Sequence, residues 1–111
     1  MKVINRVRSN EDFASAVKKG KALKTSSYIV HYLKNELNIC RIGISCSKKI
    51  ANAVTRNRIR RQIRAMCDSS VNYSDHAFDI VIIVRSDYLN NDFQHNAQLL
   101  QKLFTEIGIG K

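Results

Sequence analysis

Between Ser45 and Arg64 the chain reads Ser-Cys-Ser-Lys-Lys-Ile-Ala-Asn-Ala-Val-Thr-Arg-Asn-Arg-Ile-Arg-Arg-Gln-Ile-Arg. Two cations, Lys48 and Lys49, come first. A short polar connection with Asn52 follows, and then Arg56, Arg58, Arg60, Arg61 and Arg64, with Asn57 among them. A guanidinium is a planar fork that grips phosphate oxygens in pairs and stacks on bases. Asn52 and Asn57 add amide donors and acceptors for sugars or base edges. A helix starting after Asn52 adds free N–H groups and a positive dipole end. This chemistry is the binding of a polyanion rather than the breaking of a bond. Hydrolysis by the protein itself would need paired carboxylates, an HxxE-type metal pattern or a Gly-rich phosphate loop, and none accompanies the basic stretch. A stretch free of carboxylates is also the wrong place to hold catalytic magnesium, so no catalytic side chain and no metal site are expected.

The charge of the whole chain supports that reading. The 111 residues carry a net +10 with a pI near 9.9, which calls for a polyanionic partner. Residues 37–67 hold eight of the basic residues and no acid, whereas residues 68–111 carry a net −3. Solubilising surfaces mix both signs, and a solvated helix face interleaves glutamates for i,i+4 pairing. A membrane surface is a poor alternative, because an interfacial helix needs a bulky apolar face that a folded domain uses for its core. No apolar run approaches the roughly 20 residues of a membrane span, and Met1 to Arg6 lacks the apolar stretch of a secretory signal. A soluble cytoplasmic protein is expected. Cys40, Cys46 and Cys67 are odd in number and contain no CxxC pair, so they read as reduced buried thiols. Together with His31, His76 and His95 they show no zinc spacing.

The elements that must position the basic residues follow from periodicity, and they read as one domain over residues 1–111. A first helix is expected over 10–19, with Ser9 as N-cap, Glu11 and Asp12 in its first turn, Lys18 and Lys19 in its last, and Gly20 as a left-handed stop. Tyr28 to Leu33 reads as a strand, and Asn35 to Asn38 as a hairpin loop. Ile39 to Ser47 alternates, with Cys40, Ile42, Ile44 and Cys46 on one face and Arg41, Gly43, Ser45 and Ser47 on the other. That second face suits either close approach by a phosphate backbone or plain solvent. The basic helix is expected to begin between Asn52 and Arg56 and to end near Cys67, burying Ile59, Ile63, Met66 and Cys67. Arg60 and Arg64, one turn apart beside that stripe, look toward the sheet, and Arg58 projects from the other flank. A polar loop is expected over 68–75. Ala77 to Val84 reads as a central strand buried on both faces. A last helix starts near Asn91 and Asp92, with Phe93, Leu100 and Phe104 in the core and Gly108 at its end. The four tyrosines read mainly as packing residues. The sum is an α+β class, a small α/β sandwich of order α-β-β(-β)-α-β-α.

The run Ser-x-Ser-Lys-Lys followed by Asn-Ala-Val-x-Arg-Asn-Arg-Ile-(Lys/Arg)-Arg resembles the signature of the bacterial ribonuclease P protein family. The Asn10-Glu11-Asp12-Phe13 start of the first helix and its Lys18-Lys19-Gly20 end are similar to that family's N-terminal segment. The resemblance implies a left-handed β-α-β crossover around the basic helix, against the usual handedness. It implies a protein that binds a catalytic RNA, in a complex that removes the 5′ leader of precursor tRNA. The RNA and its magnesium ions carry the chemistry, and no cofactor or small-molecule substrate belongs to the protein alone. The catalytic RNA is expected at Lys48, Lys49, Asn52, Arg56, Asn57, Arg58 and Arg61. A cleft for the single-stranded leader is expected at Phe13, Val17, His31, Arg60 and Arg64. The family often carries aromatics where this chain has Val17 and His31, glycine at Ala51, and an Asn-Arg pair near Thr25-Ser26, so this cleft offers fewer stacking platforms. Two rival readings are a ribosomal or assembly protein that only scaffolds RNA, which charge alone does not separate, and a helix-turn-helix DNA binder. The latter is disfavoured because the basic helix follows a strand rather than another helix.

Overall fold

The computed structural model describes residues 1–111. Its helices are α1 (Asn10–Lys19), α2 (Ala53–Ser70) and α3 (Phe93–Ile107), and its strands are β1 (Lys21–Lys24), β2 (Tyr28–Lys34), β3 (Arg41–Ser45) and β4 (Phe78–Val84). Short 3-10 turns occupy Val3–Asn5 and Ser86–Asn90. Each α-helix starts on a side-chain cap. Ser9 accepts from the Asp12 N–H, Asn52 from that of Thr55 and Asp92 from that of His95, which satisfies donors that a helix start leaves free.

The four strands form one sheet in the order β1-β2-β4-β3. β4 is the strand with apolar residues on both faces, and so it takes a central place. Ile80, Ile82 and Val84 join the main core, while Val81 is equally buried on the opposite face. β4 pairs antiparallel with β2 and parallel with β3. The expected hairpin at Asn35–Asn38 is therefore not one, because β4 lies between the two strands that this loop connects. The loop is held locally instead. Asn35 accepts from the Leu37 N–H and donates to the Ile39 carbonyl, and Asn38 adopts a φ of 59°.

α2 and α3 pack on one face of the sheet. Their contribution to the core is Ile59, Ile63, Met66 and Cys67 from α2, and Leu100, Leu103 and Phe104 from α3. Tyr28 donates to the Asn96 carbonyl, and Ser27 donates to the Asn96 side chain, which pins α3 to β2. Phe93 is 47% exposed, against expectation. The buried stripe of α3 is rotated onto Asn96, and that leaves the first residue of the helix at the surface. α2 runs three residues past the expected end, and its last turn meets Val71, which bridges to Gly110. All three cysteines are buried and free, and burial pushes the Cys40 thiol up to about 12.

α1 lies on the other face, across β2 and β4. Gly20 ends it, but with φ −77° and ψ 168°, which is extended rather than left-handed. Its reason is space. A Cβ there would stand 2.4 Å from the Ala16 carbonyl oxygen and 2.6 Å from that of Tyr32. The polar face expected of β3 is closed at Arg41 and Gly43, while Ser47 beyond the strand is exposed. Arg41 grips Asp79 with two hydrogen bonds of 2.8 and 2.6 Å and reaches Asp12 on α1 at 3.2 Å. Gly43 is covered by Phe13, whose ring would lie 3.0 Å from an added Cβ.

Candidate nucleic-acid interface

β3 is an edge strand, and the interface is built around its free side. The N-terminal segment pairs with only the first part of that edge, where the Val7 N–H donates to the Ile42 carbonyl. Beyond it, α1 brings Phe13 from one side of the sheet, and α2 brings Arg60 and Arg64 from the other. These three side chains line one half-enclosed pocket of about 160 Å³ together with Met1, Arg6, Val7, Ile42, Gly43 and Ile44. No carboxylate lines it. Arg60 and Arg64 also face outward. With Val54, Asn57 and Arg61 they line a wide groove of about 750 Å³ along the solvent side of α2. The two arginines thus stand on the ridge between an inner cleft and an outer groove.

The remaining basic residues are arranged around this ridge. Lys48 and Lys49 are exposed on the turn that joins β3 to α2, where Ser47 accepts from the Lys49 N–H at 3.1 Å. Asn52 is exposed, but its side-chain oxygen serves as the helix cap. Arg56 is half-buried and donates to the Ala51 carbonyl at 2.9 Å, so part of its fork fastens the approach to α2. Arg58 is exposed on the opposite flank, close enough to Tyr88 to favour its phenolate, although burial still pushes that hydroxyl up to about 12. Asn57 accepts from Arg60 at 3.4 Å. None of the α2 arginines has a carboxylate within 4 Å; the ion pairs of the molecule are made by Arg41 and by the N-terminal ammonium.

Two residues expected in the cleft lie outside the inner pocket. Val17 is one turn beyond Phe13 on α1 and is exposed. His31 is half-buried on β2, in a row Ala22, His31, Val81 and Gly43 that crosses the sheet. With β4 between them, His31 and Gly43 are separated by two strand spacings, about 10 Å. His31 shares the Phe13 side of the sheet. Burial, and then the nearby Lys24, hold its imidazole below the usual histidine range. Arg6 is the residue that sequence reasoning missed. It sits in a segment too short for periodicity, and only the contact of that segment with the β3 edge brings it to Arg60 and Arg64.

No helix is long and apolar enough to cross a membrane. A family model described as Ribonuclease P matches residues 1–108. The ribonuclease P protein component of Mesoplasma florum is 38% identical over 98 residues, which cover 87% of this chain and 89% of that one. That of Bacillus cereus (strain AH187) is 36% identical over 110 residues, covering 98% and 96%. The structure of the Staphylococcus aureus RNase P protein is similar with a TM-score of 0.84 at 30% identity, over 96% of this chain and 98% of that one. Sequence, topology and the arginine-bearing helix agree along nearly the whole length, and the chain belongs to the ribonuclease P protein family.

Proposed function

We propose that this subunit of ribonuclease P works through two adjoining surfaces, one for the catalytic RNA and one for the 5′ leader of precursor tRNA. The observation that carries this reading is the convergence of Phe13, Arg60 and Arg64 on one cleft beside β3, while Lys48, Lys49, Arg58 and Arg61 point into solvent around it. The exposed cations, with Asn57 and the free fork of Arg56, suit the phosphates of a large folded RNA. Asn52 supports them mainly by capping α2. The cleft combines an aromatic wall with cations, which is what an unstacked single strand needs. Val17 and His31 extend that surface along α1 and across the sheet. In this reading the magnesium that phosphodiester hydrolysis requires is held by the RNA and its substrate, since Mg2+ is usually bound through phosphates and water with few protein ligands. What the protein supplies is charge neutralisation and orientation of the leader in a cytoplasmic ribonucleoprotein.

Reconstitution tests this. The RNA-free protein should not cut precursor tRNA, and adding a bacterial ribonuclease P RNA at low magnesium should give leader removal. Arg58→Ala with Arg61→Ala should weaken holoenzyme assembly for every substrate alike. Arg60→Ala with Arg64→Ala should weaken precursor binding far more than mature tRNA binding, by on the order of 1 to 3 kcal/mol per arginine, the scale of a charge-assisted hydrogen bond. Equal losses for precursor and mature tRNA in the second variant would remove the leader from the cleft.

A further inference from the structure

The inner pocket contains a cation that the fold leaves unanswered. Arg6 is half-buried, and its Nε is buried with no hydrogen-bond partner. No carboxylate lies within 4 Å of its guanidinium. It lines the pocket of about 160 Å³ together with Arg60 and Arg64, and no acidic residue lines it. Taking a guanidinium from water without a partner costs free energy, and bringing like charges together adds to that cost. Chains avoid such an arrangement unless an anion completes it. The backbone adds a donor. The Ile42 carbonyl points to the outer edge of β3, where Val7 meets it, and strand alternation turns the N–H of Ile44 to the same side. The N-terminal segment no longer pairs with the edge there, and Ile44 lines the pocket.

The geometry points to a single-phosphodiester seat, in which Arg6 is the innermost of three guanidiniums closing on one backbone phosphate of the leader. This rests on the leader-cleft reading above and deepens it. Phe13 forms the wall opposite, over Gly43, so a base next to the seated phosphate has a ring to stack on. Room on this scale favours one phosphate over a duplex backbone, which the outer groove along α2 can accept. The leader is favoured over the catalytic RNA as the source because the seat shares its aromatic wall with the single-strand cleft.

The test uses Arg6→Met and Arg6→Lys in the reconstituted holoenzyme, with precursor tRNAs carrying a methylphosphonate at each leader position in turn. Arg6→Met should weaken precursor binding about 10-fold, one charge-assisted contact, and leave mature tRNA and RNA assembly within about 2-fold. Arg6→Lys should recover part of the loss. One methylphosphonate position should weaken the parent at least as much as Arg6→Met does, and should weaken Arg6→Met by a smaller factor, because Arg60 and Arg64 still reach that phosphate; purely multiplicative losses would mean that Arg6 does not contact it. The melting temperature of the RNA-free Arg6→Met protein should stay level or rise, since an unpaired desolvated charge has been removed. Loss of assembly with the catalytic RNA would assign the phosphate to that RNA and overturn the proposal. A fall in melting temperature with no leader-specific loss would make Arg6 a packing residue and overturn it too. Undiminished precursor binding by both Arg6 variants, beside a leader-specific loss in Arg60→Ala/Arg64→Ala, would remove Arg6 alone. No leader-specific loss in any of them would remove the cleft reading itself.

Discussion

Arg41 and the arginines around the inner pocket sit within one small structure and do opposite things with the same side chain. Arg41 is held by Asp79 in a two-bond clasp, touches Asp12, and has only 16% of its side chain exposed. The hydrogen bonds to Asp79 raise its already high pKa further. The clasp ties β3 to β4 and to the start of α1, and Phe13 follows Asp12 directly in that helix. Arg6, Arg60 and Arg64 have no carboxylate at all within 4 Å. One arginine is paired within the fold, and three are left without an acidic partner. Net charge does not separate these uses. Partners do, and a paired guanidinium inside a basic protein marks where the scaffold ends and the interface begins.

Breaking the clasp should give the largest effect. Arg41→Met leaves the Asp79 carboxylate buried with Asn35 as its remaining side-chain partner, and removing one partner of a buried pair costs about 3 to 5 kcal/mol. Thermal or urea unfolding should show that loss. Arg41→Met combined with Asp79→Leu should recover much of it, because the lone charge is then gone. A double variant as unstable as the sum of the two singles would mean that the clasp is not a coupled unit.

Salt should sharpen the contrast at intermediate size. Each phosphate neutralised contributes roughly 0.7 to 0.9 to the log–log salt slope of RNA binding. Arg58→Ala should therefore lower the slope for protein–RNA assembly by close to one unit. Arg41→Lys, which changes a cation already paired internally, should leave the slope unchanged. Equal slope changes for the two variants would erase the distinction between scaffold and interface arginines.

Much of this was legible before any coordinates. The cap at Ser9, the start of α3 near Asp92, the buried stripe of α2 and the mostly apolar β4 are local patterns, and each settled where its pattern points. What stayed hidden depends on pairing between distant segments. Asn35 to Asn38 has the composition of a hairpin loop, but β3 finds β4 rather than β2, and that choice lies in the two-faced hydrophobicity of a strand some forty residues on. Gly20 reads as a helix stop by residue type, whereas its cause is lack of space between the Ala16 carbonyl of its own helix and the Tyr32 carbonyl of β2. Asp68 to Ser70 is polar enough to read as loop, yet it continues α2, with the Tyr73 hydroxyl and the N-terminal ammonium holding Asp68 and the Lys111 N–H donating to the Ser70 carbonyl. Phe13, Arg60 and Arg64, grouped by the family resemblance, line one pocket in the structure. Arg6 was not legible, because it reaches the pocket by an isolated bridge between Arg6 and Ile42.

The smallest effect expected concerns His31, which with Arg6 holds a buried side-chain nitrogen that lacks a partner. Its Nδ1 is buried with no hydrogen bond. A neutral ring can leave that nitrogen as an unprotonated acceptor, but a charged ring must carry a proton on both nitrogens and would bury an unsatisfied N–H beside the positive Lys24. Burial first, and Lys24 second, therefore keep the folded-state pKa below that of the unfolded chain. The sign follows from proton counting. Above about pH 7 both states are mostly neutral at this ring, and His31 adds no pH dependence. As pH falls through the unfolded value near 6.5, the unfolded chain binds the proton first, so stability drops. The drop is complete once pH is below the folded value. His31→Phe removes the titration and keeps a ring of similar bulk on the sheet. The melting-temperature difference between the parent and His31→Phe should be flat from pH 7.5 to 8.5 and should move in favour of the variant between pH 7 and 5. Taking the difference cancels contributions from the other two histidines. A difference that stays flat across the whole range would mean that the His31 ring finds an acceptor for its second proton, and on the sheet face it would then stand as a cation rather than a neutral ring.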